Sequence, residues 1–77
     1  MKIEVLGAGC AKCKRLAKNV EKALNKLGRD DPVIKVEDMD EIINHGVMMT
    51  PALFIDGEAK ALGRVPSVGE IETLLKS

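Results

Sequence analysis

The chain has no tryptophan and no tyrosine, and Phe54 is its only aromatic residue of the Phe/Trp/Tyr set. Aromatic stacking on nucleic-acid bases is therefore excluded as a binding mode. Net charge is also missing, because twelve basic residues balance twelve acidic ones. That balance argues against a general nucleic-acid or membrane-surface binder. No apolar run approaches the roughly 18 residues that a membrane span needs. The N-terminus Met1-Lys2-Ile3 runs straight into a strand pattern without a secretory leader, so the expected location is the cytoplasm. Cysteine is scarce as well: Cys10 and Cys13 are the only two. A pair so close in sequence closes almost no loop and adds little stability. In a reducing compartment such a pair cycles or binds metal instead of stapling a fold. With one histidine, His45, the chain offers three such ligands at most, whereas structural zinc wants four.

What is present is a Cys-Ala-Lys-Cys tetrapeptide between an apolar run and a long amphipathic stretch. Ile3-Glu4-Val5-Leu6 reads as a strand, Gly7-Ala8-Gly9 as a loop and Ala11 to Leu27 as a helix. Cys10 therefore stands at a helix N-terminus, where unpaired N–H groups and the helix dipole favour an anion. A cysteine there ionises more readily, and the thiolate is the form that attacks disulfides and binds metals. Cys13 falls one turn later on the apolar face with Leu16, Val20, Ala23, Leu24 and Leu27, so it should be more buried and less reactive.

At 77 residues the chain makes one domain with a small core. Such a domain buries only about 60% of its unfolded surface. Gly28 ends the first helix, and Asp31-Pro32 prevents its resumption. Val33 to Val36 forms a second strand. Asp38 caps a short helix, with Glu41 at the capping-box position and Ile42 and Ile43 on its buried side. Ala52 to Ile55 is a third strand, Asp56-Gly57 a hairpin turn and Ala59 to Leu62 a fourth strand. Ser67 and Glu70 cap a last helix, whose apolar face is Val68, Ile71, Leu74 and Leu75. The order β-α-β-α-β-β-α predicts an α/β fold: a four-stranded mixed sheet with helices on both faces. Met48 and Met49 are expected to fill the small core, the alternative being an apolar groove beside the cysteines. His45 is expected at the surface near a helix end, interacting with the helix dipole.

Charge is unevenly spread. Lys14, Lys18, Lys22 and Lys26 recur at i, i+4 spacing and form a basic stripe, accompanied by Lys12 and Arg15. Asp30, Asp31, Glu37, Asp38, Asp40 and Glu41 load the following segment. The stripe is either a solvated helix face or a docking face for an acidic partner.

Cys10-Ala11-Lys12-Cys13 after the first strand, Thr50-Pro51 before the third and the Asp56-Gly57 hairpin together resemble the thioredoxin/glutaredoxin family. The likeness is greatest to its very small members with a redox-active disulfide, and it covers essentially the whole chain. It implies a thioredoxin-like fold and thiol–disulfide oxidoreductase activity, with Cys10 as nucleophile and Cys13 as resolving cysteine. It implies a cis peptide bond at Pro51 and substrate pairing at the backbone of Thr50. The expected partners are a disulfide-containing protein substrate and a reductant, either a flavin-dependent reductase or glutathione. No nucleic acid, membrane or metal is expected, and no cofactor beyond the Cys10–Cys13 disulfide. The chain is expected to be a monomer.

Two residues are candidates for tuning the cysteines. Lys12 places a cation beside Cys10, which should favour its thiolate. Glu4 stands six residues before Cys10, where many thioredoxins carry a buried acid that moves the proton of the resolving cysteine; the alternative is a partly exposed glutamate on a short strand. Gly9 replaces the aromatic that precedes the first cysteine in typical thioredoxins, which implies thinner substrate contacts. A second likeness is to the heavy-metal-associated domains that carry copper(I), since two thiolates suit a soft ion. Ala8 stands where those domains have methionine, and Thr50-Pro51 has no role in their scheme.

Overall fold

A computed structural model describes residues 2–9 and 11–76, so Met1, Cys10 and Ser77 lie outside the described residues. The elements are β1 (Ile3–Leu6), α1 (Ala11–Lys26), β2 (Val33–Val36), α2 (Met39–Asn44), β3 (Ala52–Ile55), β4 (Glu58–Leu62) and α3 (Val68–Lys76). The strands form one mixed sheet in the order β2-β1-β3-β4. β1 runs parallel to β2 and antiparallel to β3, and β4 returns antiparallel beside β3.

Local chemistry explains the joints. α1 ends at Lys26, slightly before the expected Leu27. Gly28 follows at φ 65°, the N–H of Arg29 donates to the carbonyl of Leu24, and that of Gly28 to Asn25. These are the crossed bonds of a helix end that needs a left-handed residue. Asp56 and Gly57 have φ of 52° and 83°, the pair of positive values that a tight hairpin turn requires. The Asp38 carboxylate accepts the N–H of Asp40 at 2.8 Å and caps α2. Ser67 Oγ likewise accepts from the N–H of Glu70 at 3.2 Å. The Glu70 carboxylate does not complete a capping box; it takes Arg64 at 2.6 Å.

Alternation along the strands divides the core. Ile3 and Val5 of β1 face α1 and α3, and pack with Leu16, Val20, Leu24, Leu53, Ile55 and Ile71. Leu6 faces α2 and packs with Val36, Ile42, Val47, Ala52 and Phe54. Each fully buried aliphatic side chain here is worth about 1.5–3 kcal/mol of burial. Two polar ties close the α1–α3 layer: Asn19 Nδ2 donates to the Pro66 carbonyl, and the Arg29 guanidinium donates to the Leu75 carbonyl and to Asp31.

One expectation about α2 is corrected. Ile42 is buried, but its neighbour Ile43 is 62% exposed. Successive residues point about 100° apart on a helix, and one short helix lying on a sheet buries only a narrow stripe. No helix among the described residues is long and apolar enough to cross a membrane.

Candidate active site

The site gathers at the C-terminal end of β1. Cys10 lies outside the described residues; in sequence it sits between Gly9 and the first residue of α1. Lys12 is exposed on the first turn of α1. Cys13 is turned inward and only 5% exposed, because it shares the apolar face of α1 with Leu16, Ala17 and Val20. It reaches the sheet at Gly7. A Cβ on Gly7 would overlap Cys13 Sγ, and it would also lie 3.9 Å from the Cα of Pro51. Only the first of these is a clash, since 3.9 Å is ordinary contact: Gly7 is the clearance that lets Cys13 and α1 close onto the end of β1.

The Thr50–Pro51 peptide bond is cis. Pro51 is buried, and its carbonyl accepts the N–H of Gly63 at 2.8 Å. Thr50 is exposed, and among the described residues its main chain makes no hydrogen bond.

Two hollows flank this centre. A cavity of about 130 Å³ opens beside Cys13 between α1 and β2, with Lys14, Lys35 and Glu37 at its polar edge. On the other side a groove of about 610 Å³ runs from Ala8 and Thr50 to Met39, Ile43 and Met48. Met48 is 99% exposed and Met49 58% exposed, so the methionines do not fill the core as expected. The inner positions are already taken by Val47, Ala52 and Phe54, and the loop carrying the methionines runs outside them.

Glu4 is buried at 6% exposure, which removes the partly exposed alternative. The structure does not bring it to Cys13. Strand alternation puts Glu4 on the α2 side of the sheet with Phe54, while Cys13 is on the α1 side with Val5 and Gly7. Its partner is His45, at the C-terminal cap of α2, with Nε2 3.1 Å from Glu4 Oε2 and Nδ1 2.7 Å from the Glu41 carbonyl. Both neighbours are acceptors when Glu4 is ionised, so an imidazolium satisfies both and a neutral ring only one. Accordingly the Glu41 carbonyl first, and the Glu4 carboxylate second, hold the His45 pKa above its ordinary value of 6.5. The ring also stands edge-on to Phe54, centroids 5.3 Å apart.

Sequence spacing missed two of these residues. Gly7 reads as an ordinary loop glycine, and its importance depends on α1 folding back over it. His45 is correctly placed at a helix end, but nothing local connects it to a glutamate 41 positions earlier.

A Cys-x-x-Cys sequence entering the first helix of this mixed sheet, beside a Thr–cis-Pro segment, defines a thiol–disulfide oxidoreductase of thioredoxin fold. Comparison with known proteins agrees. Residues 1–76 match the thioredoxin domain family. The thioredoxin of Methanothermobacter thermautotrophicus is 44% identical over 75 residues, covering 97% of each chain. That of Methanocaldococcus jannaschii is 41% identical over 75 residues, covering 97% of this chain and 86% of the relative. The chain belongs to the thioredoxin family. The copper(I)-carrier alternative is set aside on these grounds, and α2 between β2 and β3 departs from the hairpin that it would need.

Proposed function

We propose that this chain is a single-domain, monomeric carrier of reducing equivalents that works through Cys10 and Cys13 in the cytoplasm. The Cys10 thiolate attacks one sulfur of a target disulfide, forms a mixed disulfide and expels the other target sulfur as a thiolate. The Cys13 thiolate then attacks Cys10 Sγ, forms the Cys10–Cys13 disulfide and releases the second target thiolate. The target gains two electrons and, on protonation, two protons. A flavin-dependent reductase or glutathione returns the pair to the dithiol. The exchange is complete with the two sulfurs alone and needs no bound cofactor.

The observation that best supports this scheme is the seating of Cys13. Its sulfur lies against Gly7, one turn into α1 and beside Pro51, shielded from solvent. That is a position for a resolving group, which must meet a neighbour on its own helix and not an incoming protein. Thr50 offers unpaired backbone groups for the substrate strand, and the groove past Met39, Ile43 and Met48 accepts apolar side chains next to the target cysteine. Methionine's flexible thioether adapts to varied partners. The exposed Lys12 favours the Cys10 thiolate from one side, at modest strength because it is well solvated. Glu4 is assigned no part in proton transfer to Cys13.

The test is stoichiometric. Reduced protein mixed with an uncharged disulfide peptide should convert it to dithiol while losing two hydrogens in mass, and a dithiol reductant should reverse the loss. Absence of exchange with the peptide and with small disulfides would contradict the proposal.

A further inference from the structure

The outward face of α1 carries Lys14, Arg15, Lys18, Lys22 and Lys26, all exposed. At about 100° per residue they spread over the side opposite Leu16 and Val20, and the stripe from Lys14 to Lys26 is about 18 Å long. Glu21 is the only carboxylate on the helix, and it lies at the margin of this face. Among the described residues no lysine of α1 forms an ion pair; the pairs present are Arg29–Asp31, His45–Glu4, Lys60–Glu58 and Arg64–Glu70. The other carboxylates lie off this helix: Asp30, Asp31, Glu37, Asp38, Asp40 and Glu41 between the end of α1 and the first turn of α2, and the rest on β1, the β3–β4 hairpin and α3. Like charges at i, i+4 spacing weaken a helix by a few tenths of a kcal/mol per pair, so the stripe does not serve folding.

Its position gives it a use. Lys14 lines the cavity beside Cys13, so the stripe starts at the redox centre and leads away from it. We propose that this face of α1 docks an acidic segment of the protein with which Cys10 and Cys13 exchange disulfides. The inference rests on the exchange scheme above and adds the charge of the partner. A protein is favoured over a nucleic acid because the stripe begins beside Cys13 and the chain has no tyrosine or tryptophan to stack on bases. The lysines raise the encounter rate with an acidic partner and orient its disulfide toward Cys10.

The test uses three peptides with one common disulfide ring and a tail of glutamates, glutamines or lysines. At about 0.01 M ionic strength, where screening extends about 30 Å, the glutamate peptide should be reduced about 10-fold faster than the glutamine peptide. The lysine peptide should be slowest. At about 1 M salt, with a screening length of about 3 Å, the three rates should converge. The double variant Lys18→Glu, Lys22→Glu leaves three cations against three carboxylates on this face, so the glutamate peptide should lose its advantage over the glutamine peptide. Both positions are exposed, so a thermal melt serves to confirm that the variant is folded.

Equal rates for the three peptides at low salt, or an unchanged preference in the double variant, would overturn the proposal. The same tails on rings whose cysteines are serine read docking without chemistry. Salt-sensitive binding of the glutamate tail supports the stripe even if no peptide is reduced, a result that defeats the exchange scheme alone. No binding of that tail overturns the stripe even if every peptide is reduced. A short single-stranded oligonucleotide that binds more tightly than the glutamate tail would reassign the face and overturn it as well.

Discussion

The two faces of the sheet are built differently. The α1–α3 face is held by aliphatic packing, with Leu16, Val20, Leu53 and Ile71 fully or almost fully enclosed. The α2 face has a smaller cluster, a six-residue helix and a buried carboxylate that needs His45. The densely packed face carries Cys13, and the thin face carries the exposed methionines and isoleucine of the groove. Exchange between two cysteines needs sub-ångström positioning, which dense packing provides. A docking groove that meets different partners tolerates adjustable, lightly held side chains.

That contrast can be broken from the densely packed side first. Leu16→Ala should cost about 2–5 kcal/mol, because the sheet below and α3 beside it leave no way to close the cavity. Urea denaturation reads it, and Ile42→Ala on the thin face should cost less. Gly7→Ala comes next. Its Cβ forces Cys13 and α1 away from β1, with an expected loss of about 1–3 kcal/mol. Resolution of the mixed disulfide by Cys13 should slow further than the stability loss accounts for, which stopped-flow kinetics would detect.

His45→Ala tests the polar tie of the thin face. It leaves the buried Glu4 without its partner, at a cost of about 1–3 kcal/mol. The pH dependence has a definite sign. The folded pKa of His45 is raised, so its contribution is fully present below 6.5 and is lost as pH rises through the elevated folded value. Wild-type stability should fall across that window, and the variant should lose this component. Rates of thiol exchange in the variant, compared at equal folded fraction, should match wild type if Glu4 takes no part in the chemistry. The smallest effect belongs to the groove. Met48→Ser should leave stability within about 0.5 kcal/mol while weakening capture of peptides with an apolar residue beside the cysteine.

The seven elements were legible because their signals are local: apolar period, caps and the Asp56-Gly57 turn each act within a few residues. The Cys-x-x-Cys pair and Thr50-Pro51 were legible as motifs for the same reason. What escaped depends on three-dimensional closure. Ile42 and Ile43 are equally apolar, and only the seating of α2 decides which one turns inward. Met48 and Met49 look like core by composition until Val47 and Phe54 occupy the space. The Glu4–His45 contact joins β1 to the end of α2, a pairing set by the sheet and not by spacing. Gly7 matters through the side chain of Cys13, six residues on and brought back over it by α1.

The central claim is a division of labour between the two sulfurs, and trapping tests it most directly. Cys13→Ser, mixed with a disulfide protein, should accumulate a stable mixed disulfide through Cys10. Cys10→Ser should accumulate almost none, since the remaining sulfur is buried beneath α1. Equal trapping by both variants, or trapping through Cys13 alone, would contradict the account.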